Sequence, residues 1–427
     1  MKLTQIDNAC CVYEVNGFKF LCDPWLTDGA FEGSWHHYPP LVTTFEDVKD
    51  VDALYISHIH PDHFDEEILK KFRKDIPTIV LDHGVNFLHK KLLNIGLTNL
   101  IKVKDSETIT LGPLEITVYA PFVKHPFDNS ELGNFIDSAL VVEANGKVVL
   151  NANDNTPSVE SARLLHSRHG KFSVVQLKDS LAGAYPSCFL NLSHEEKLAE
   201  ANKLIKRQID AMCEVAKVLE ADWFQPFAGD YQLGGKLVTK NQYLGVAGKL
   251  YTANIIASKG IKPLVLSEKS SIDLITNEVV SAYRKNVISY DKWTTEVSKV
   301  KFAWDNDPIP CPKEIRELAF KARENLSRMQ TKLNYKPNYN IVIRLTDDPI
   351  WPSFYSFNLD ESEHHYYLGG LLKDTHDLEC YLDPRLLKRI LTKESHWNNA
   401  EVGCHIDFDR KGPYNPDVHM IMSFFHV

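Results

Sequence analysis

At 427 residues the chain is longer than one hydrophobic core ordinarily organises, so two or three domains are expected. A formal net charge of −9 excludes a binder of nucleic-acid backbones, which needs a basic face, and no run approaches the ~18 apolar residues of a membrane span. Eight scattered cysteines form no Cys-x-x-Cys or Cys-x-His pair, so the expectation is reduced thiols in a cytoplasmic protein rather than an iron–sulfur or structural zinc centre. The N-terminus lacks the basic and apolar regions of a signal peptide and reads as a first strand.

Alternation in CCVYEV and FKFLCD, split by Asn16-Gly17, predicts a hairpin. The apolar run DALYI (52–56) predicts a short buried strand, and Ile68, Leu69 and Phe72 in DEEILKKFRK (65–74) fall on one helical face. TIVLD (78–82) reads as a strand, followed by a helix over VNFLHKKLLNIG that Gly96 closes. Strands LIKVK, LEITVYA, SALVVEA and KVVLNAN come next, the last two joined by Asn145-Gly146. Strands mixed with helices, then a strand meander, predict a layered α/β fold. Ser193 opens a long helix through a capping box with Glu196, and an apolar stripe runs through Leu198, Leu204, Ile209, Met212, Val215 and Leu219. WFQPFAGD (223–230) reads as a strand entering a loop, whereas 231–300 carries no clear pattern.

Pro308, Pro310 and Pro312 mark a linker that begins at Asp305, ahead of the helix KEIRELAFKARENL. The expected organisation is therefore a domain over 1–304, a linker and helix over 305–334, and a separate α+β domain over 335–427. In that last part YNIVIRLT, FYSFNLD and LECYLD read as strands and DPRLLKRILT as a helix. AEVGCHIDFD and HMIMSFFHV read as strand-like runs, with Trp397, Phe424 and Phe425 as core.

The chemistry concentrates in SHIHPDHFD (57–65). Beyond the strand that ends at Ile56, His58 and His60 point the same way, because side chains alternate with a period of two. Pro61 stops strand pairing, and Asp62 and His63 begin the turn into the helix. Imidazole and carboxylate converging from two sides of a tight turn suit zinc, iron or manganese, so one or two divalent metal ions are the expected cofactor.

These residues resemble a family. His58, His60, Asp62 and His63 match the signature of the metallo-β-lactamase fold superfamily, and Asn8-Ala9-Cys10 with FLCDPWL (20–26) resemble its opening hairpin. The resemblance implies an αββα sandwich with metals at one edge of two packed sheets, and Asp23 supporting the site. It implies His125, after LEITVYAPFVK, as the third histidine of a first ion held by His58 and His60. It also implies Asp154, at the end of KVVLNAND, as a bridging carboxylate that joins Asp62 and His63 at a second ion. A final histidine implied near residue 225 is absent from WFQPFAGDY; either Asp230 stands in for it or the second position is incomplete.

From about residue 5 to the end, the stretches CDPWLTDGAF, YISHIHPDHF, VLNANDNTPS, PFAGDY and DPRLLKRILTKESHWNNAEVGCHIDFDRKGPYNPDVHMIMSFFH are similar to the CMP-N-acetylneuraminate hydroxylase family. That family carries a Rieske domain ahead of this region, and the Cys-x-His and Cys-x-x-His pairs of such a centre do not occur in this sequence. The segment from about 335 to 427 also resembles sterol-carrier-like domains.

Two reactions fit the residues. The first is hydrolysis of a small, phosphate-bearing or nucleotide-sugar-like substrate by metal-activated water, with Asp62 accepting the proton. Tyr185, Ser187 and the backbone of SLAGAYPSCF would then meet the substrate, and Lys178, Lys236 and Lys240 an anionic group. The alternative is an iron-dependent monooxygenase with electrons from a separate protein. Hydrolysis needs only parts that the sequence contains. A non-catalytic binding module is a third reading, which the intact His58, His60, Asp62 and His63 argue against.

Overall fold

The computed structural model describes residues 1–124, 137–281, 288–346, 353–360, 364–368 and 376–427. Asn16 and Gly17 both take positive φ (51° and 83°), and this tight turn sets the register of Cys10–Val15 against Phe18–Cys22. From Phe18–Cys22 the sheet continues through Ala53–Tyr55, Thr78–Leu81 and Leu100–Val103, all paired in parallel. Thr78–Leu81 is buried at every position, as a strand covered on both faces must be. With Lys2–Asp7, Ser271–Asp273 and Glu278–Val280 on the other side this makes an eight-stranded sheet. A six-stranded sheet faces it, ordered Trp223–Phe227, Val174–Lys178, Lys147–Asn151, Ala139–Ala144, Leu114–Tyr119, Glu107–Leu111.

Leu3, Tyr13, Phe20, Tyr55, Ile116 and Val142 interdigitate in the core between the two sheets. The outer face of the first sheet is covered by Phe45–Val48, Glu66–Leu69 and Phe87–Asn94, through Val48, Ile68, Leu69, Leu88 and Leu92. The outer face of the second is covered by Val159–His169, His194–Val218 and Lys249–Ser258, through Leu165, Ile209, Met212 and Ile256. The layers are therefore helix, sheet, sheet, helix. The Ser193–Glu196 capping box forms, with each side chain reaching the other's backbone.

The helix expected over 65–74 contracts to Glu66–Leu69. Asp65 explains where it starts. Its Oδ1 accepts from Ile68 N (3.1 Å), while Oδ2 accepts from Leu26 N (3.0 Å), Thr27 N (2.9 Å) and Thr27 Oγ1 (2.7 Å). The cap thus binds the helix to the loop that leaves the opening hairpin.

The C-terminal part is a five-stranded sheet ordered His364–Leu368, Ser353–Asn358, Asn340–Leu345, Leu378–Leu382, Asp407–Arg410. Helices Pro312–Leu333 and Pro384–Leu391 pack on it. Alternation is strict: Ile341, Ile343, Leu378, Cys380, Leu382 and Phe408 enter the core, and Arg344, Glu379, Tyr381 and Asp409 occupy the other face. Two strand expectations change here. AEVGCHIDFD divides into the end of helix Trp397–Val402 and the strand Asp407–Arg410, and HMIMSFFHV is helical over Pro416–Ile421 and Met422–Phe424. Asn415 caps that helix (side chain to Asp417 N, 3.1 Å) with Pro416 in its first turn, a start signal stronger than the β-propensity of a short apolar run.

The C-terminal core is not private. Leu326, Leu387, Trp397, Phe408 and Phe425 share one cluster with Trp25, Trp35, Tyr231 and Leu233 of the sandwich. Helix Pro312–Leu333, expected to follow a linker, buries Ile315, Ala319, Ala322 and Leu326 in it. Among the described residues no helix is long and apolar enough to cross a membrane.

Candidate metal centre

The loop after Ala53–Tyr55 leaves the parallel edge of the first sheet and turns back on itself, with His63 N and Phe64 N both donating to His60 O (3.0 and 2.8 Å). This turn stacks His58, His60 and His63, the His58 and His63 ring centroids 4.1 Å apart. Beneath them Asp23, buried at the end of Phe18–Cys22, accepts from Ser57 N (2.8 Å), Ser57 Oγ (2.7 Å) and His63 Nδ1 (2.8 Å). Asp23 is thus the carboxylate that orients an imidazole whose other nitrogen faces the site.

The network fixes the ring protons. Ser57 donates to Asp23, so it accepts from His58 Nδ1 (3.0 Å) and leaves His58 Nε2 bare. Asn398 Oδ1 accepts from His60 Nε2 (2.9 Å), which leaves His60 Nδ1 bare. These two bare nitrogens face each other at 2.9 Å. His63 Nε2 is buried without a hydrogen-bond partner, 3.4 Å from Asp62 Oδ2 and 3.9 Å from Asp154 Oδ1. Lone pairs that converge on one another and on carboxylates repel unless a cation stands among them, and the residues present therefore fit a metal ion.

At this centre two groups each bring three donor atoms within 4.8 Å of one another: His58, His60 and Asp137, and His58, His63 and Asp154. Burial, with the nearby His63, His60 and Lys178 charges, pushes the His58 imidazole well below its ordinary range, the neutral state a ligand requires. For His63 burial acts in the same direction but is outweighed by Asp62 and Asp23, which hold it well above. Lys178 Nζ sits 3.0 Å from Asp154 Oδ1. Burial opposes its charge, yet Asp154, Asp62 and Asp137 keep the ammonium above the usual lysine range.

The other expected residues fall as follows. Asp62 lies outside both groups; Asn8 Nδ2 donates to its Oδ2 (3.3 Å), and Asn8 Oδ1 accepts from Gly229 N (2.5 Å). Gly229 is required there, since a Cβ would lie 1.6 Å from Ser180 Oγ. His125 lies outside the described residues. Asp230 is in neither group; its carboxylate is bound by Lys249 (2.6 Å), which meets its charge. Tyr185 donates to Glu200 (2.9 Å), and Ser187 donates to Ala184 O (3.2 Å) beside the thiols of Cys188 and Cys404. Both are engaged at the shared core with the C-terminal sheet rather than with the histidines. Lys240 is held there too, by Asp407 (2.6 Å). Asp137 and Asn398 were not expected from the sequence, and Asn8, which stood there only as part of the opening hairpin, orients Asp62. The one signal for Asp137 is a carboxylate two residues ahead of the apolar strand Ala139–Ala144, and Asn398 has none.

Residues 2–145 match the family model described as "Beta-lactamase superfamily domain". With the layering and the histidine cluster this defines the class: the chain carries a metallo-β-lactamase superfamily domain. More particularly, it is homologous to two kinds of curated protein over about half its length. It is 31% identical over 235 residues to a "Putative Rieske 2Fe-2S iron-sulfur protein" of Mycolicibacterium smegmatis, covering 54% of this chain and 43% of that protein. It is 27% identical over 243 residues to the cytidine monophosphate-N-acetylneuraminic acid hydroxylase of Danio rerio, covering 53% and 38%. The match thus spans less than half the length of these relatives. Among solved structures it is similar to isothiocyanate hydrolase from Delia radicum gut bacteria (TM-score 0.45, 18% identity, 66% of this chain and 100% of that one). It is also similar to CmlA, a diiron beta-hydroxylase from Streptomyces venezuelae (TM-score 0.43, 19% identity, 64% and 53%). The sterol-carrier resemblance of the C-terminal sheet is not supported.

Proposed function

We propose that the histidine cluster is the metal centre of a hydroxylase acting on a small anionic molecule of the nucleotide-sugar type, with electrons from a Rieske-type donor. The observation that carries this reading is the pair of donor groups, each two histidines and one carboxylate, on a chain homologous to Rieske proteins and hydroxylases. Two histidines and a carboxylate suit Fe(II), which when bound supplies the one-electron chemistry that dioxygen requires. The overall change inserts one oxygen atom into a C–H bond and releases the other as water, consuming two electrons and two protons.

The chain's own residues hold and orient. Asp23 and Ser57 aim His63 and His58, and Asn398 fixes the proton of His60 on the nitrogen turned away from the site. Lys178, ion-paired with Asp154 (3.0 Å), is a cation that an anionic substrate group would meet at the centre. The cleft of about 270 Å³ beside Ile59 and Pro61 is a poorer phosphate seat, because Asp28, Asp65, Glu66 and Glu67 outnumber Lys91 in its lining.

One observation favours a second reading, a metal-dependent hydrolase of a phosphate-bearing substrate. Asp62 stands outside both donor groups and is oriented by Asn8, so it is available to take a proton from an attacking water. Product analysis separates the two. Metal-free protein is loaded with Fe(II) or Zn(II) and given CMP-sugars with dioxygen and a reductant. A product heavier by one oxygen atom, made only with iron, is the expected result; CMP release or phosphoester cleavage with zinc would move the assignment to hydrolysis.

A further inference from the structure

A second cluster lies on the C-terminal sheet, on the face turned away from its core. We propose that His376, Glu379 and Asp409 form a separate site for a divalent transition cation, zinc in the first instance.

The sheet itself brings the donors together. Glu379 and Asp409 are directly paired residues of Leu378–Leu382 and Asp407–Arg410, so both side chains project from the same face. Like charges directly opposite each other on antiparallel strands are destabilising. Arg344, from the neighbouring strand, meets Glu379 through its Oε1 and leaves Oε2 turned towards His376. The Asp409 carboxylate makes no hydrogen bond or ion pair with any described residue, Lys411 included. One carboxylate charge of the pair thus remains uncompensated.

His376 is the independent observation that points to a ligand. Its side chain is only 6% exposed, and neither ring nitrogen has a hydrogen-bond partner. Its Nε2 lies 3.2 Å from Glu379 Oε2, yet the two are not aligned as a hydrogen bond. A separation of roughly 3.3 Å is what two ligands of one tetrahedral ion show when each stands about 2.0–2.1 Å from the metal. The three donor atoms lie within 4.8 Å of one another. One imidazole nitrogen with two carboxylate oxygens is a donor set for zinc, manganese or iron rather than calcium, and the site shares no residue with the histidine cluster.

The test is zinc stoichiometry on the full chain. Metal-free wild type, Asp409→Asn and His376→Gln are dialysed to equilibrium against zinc, and bound metal is measured with far-UV circular dichroism as the check on folding. The expected result is one zinc per chain fewer in each variant than in wild type, with His58→Ala still retaining that ion. Equal zinc in wild type and Asp409→Asn overturns the site. Asp409 is half-buried and its amide has the same shape, so this variant decides the matter even if His376→Gln fails to fold.

Discussion

In the sandwich, metal-capable side chains stand on loops that leave the ends of strands; in the C-terminal sheet two of the three, Glu379 and Asp409, stand on paired strands, and His376 lies just ahead of one. The difference shows in their support. Each sandwich histidine is aimed by a partner, Ser57 for His58, Asn398 for His60 and Asp23 for His63. His376 has none, and Glu379 alone is steadied, by Arg344. A loop can gather many donors but needs backing to hold them still, whereas a strand pair fixes two donors by register and offers little choice of a third.

The comparison breaks most sharply at His58, the one residue common to both sandwich groups. His58→Ala should abolish metal binding at the sandwich centre and turnover with it; metal analysis that finds full occupancy of that centre would show the two groups do not share a ligand. The next largest effect concerns whether the regions unfold apart. His405 lies at their junction, its Nε2 donating to Phe31 O (2.8 Å) and its ring edge-on to Phe302 and Trp304. Burial pushes its pKa from 6.5 down to about 3. Between those values the unfolded chain takes up a proton that the folded chain refuses. The stability that His405 contributes is therefore complete above about pH 6.5 and is lost progressively as pH drops towards 3, by about 1.4 kcal/mol for each pH unit. Thermal melts across that range should show one transition moving downward, with a shallower slope in His405→Gln; two separated transitions would mean the regions are energetically independent.

Smaller effects sharpen the contrast in support. Asp23→Asn keeps the shape but weakens the orientation of His63, and metal affinity at the sandwich centre should fall by ~10–100-fold, read by chelator competition. Zinc at the C-terminal site should not change in that variant. Lys178→Met removes an ammonium 3.0 Å from Asp154, and affinity at the group containing Asp154 should rise by about tenfold, ~1.4 kcal/mol. Unchanged affinity in the same competition would show that the lysine does not oppose an ion there.

Much of the sandwich was legible because its signals are local. The Asn16-Gly17 turn, the apolar parallel strands and the Ser193 cap each act within a few residues, and SHIHPDHFD packs its donors into one turn. What could not be read depends on distance. Asp137 follows a segment without periodicity, and Asn398 comes from 338 residues beyond the histidine it contacts. Asp154 was expected because the family resemblance implies a carboxylate at the end of that apolar strand, but its pairing with Lys178 arises only when parallel strands align. At the other extreme HMIMSFFHV misled because a short apolar run has no period long enough to separate strand from helix, although Asn415 and Pro416 announced the helix.

The core shared by Trp25, Trp35 and Tyr231 with Leu326, Trp397 and Phe425 bears on how this gene could be cut or recombined. A fragment ending before Pro312 would lose its own covering and expose the stacked rings of Trp35 and Tyr231, whose centroids are 3.5 Å apart. Grafting the C-terminal sheet onto another sandwich would carry the same raw apolar face to a surface never shaped to receive it. The two parts share one core, so a chimera that keeps it covered has to exchange residues 25–35 and 231–233 along with the tail.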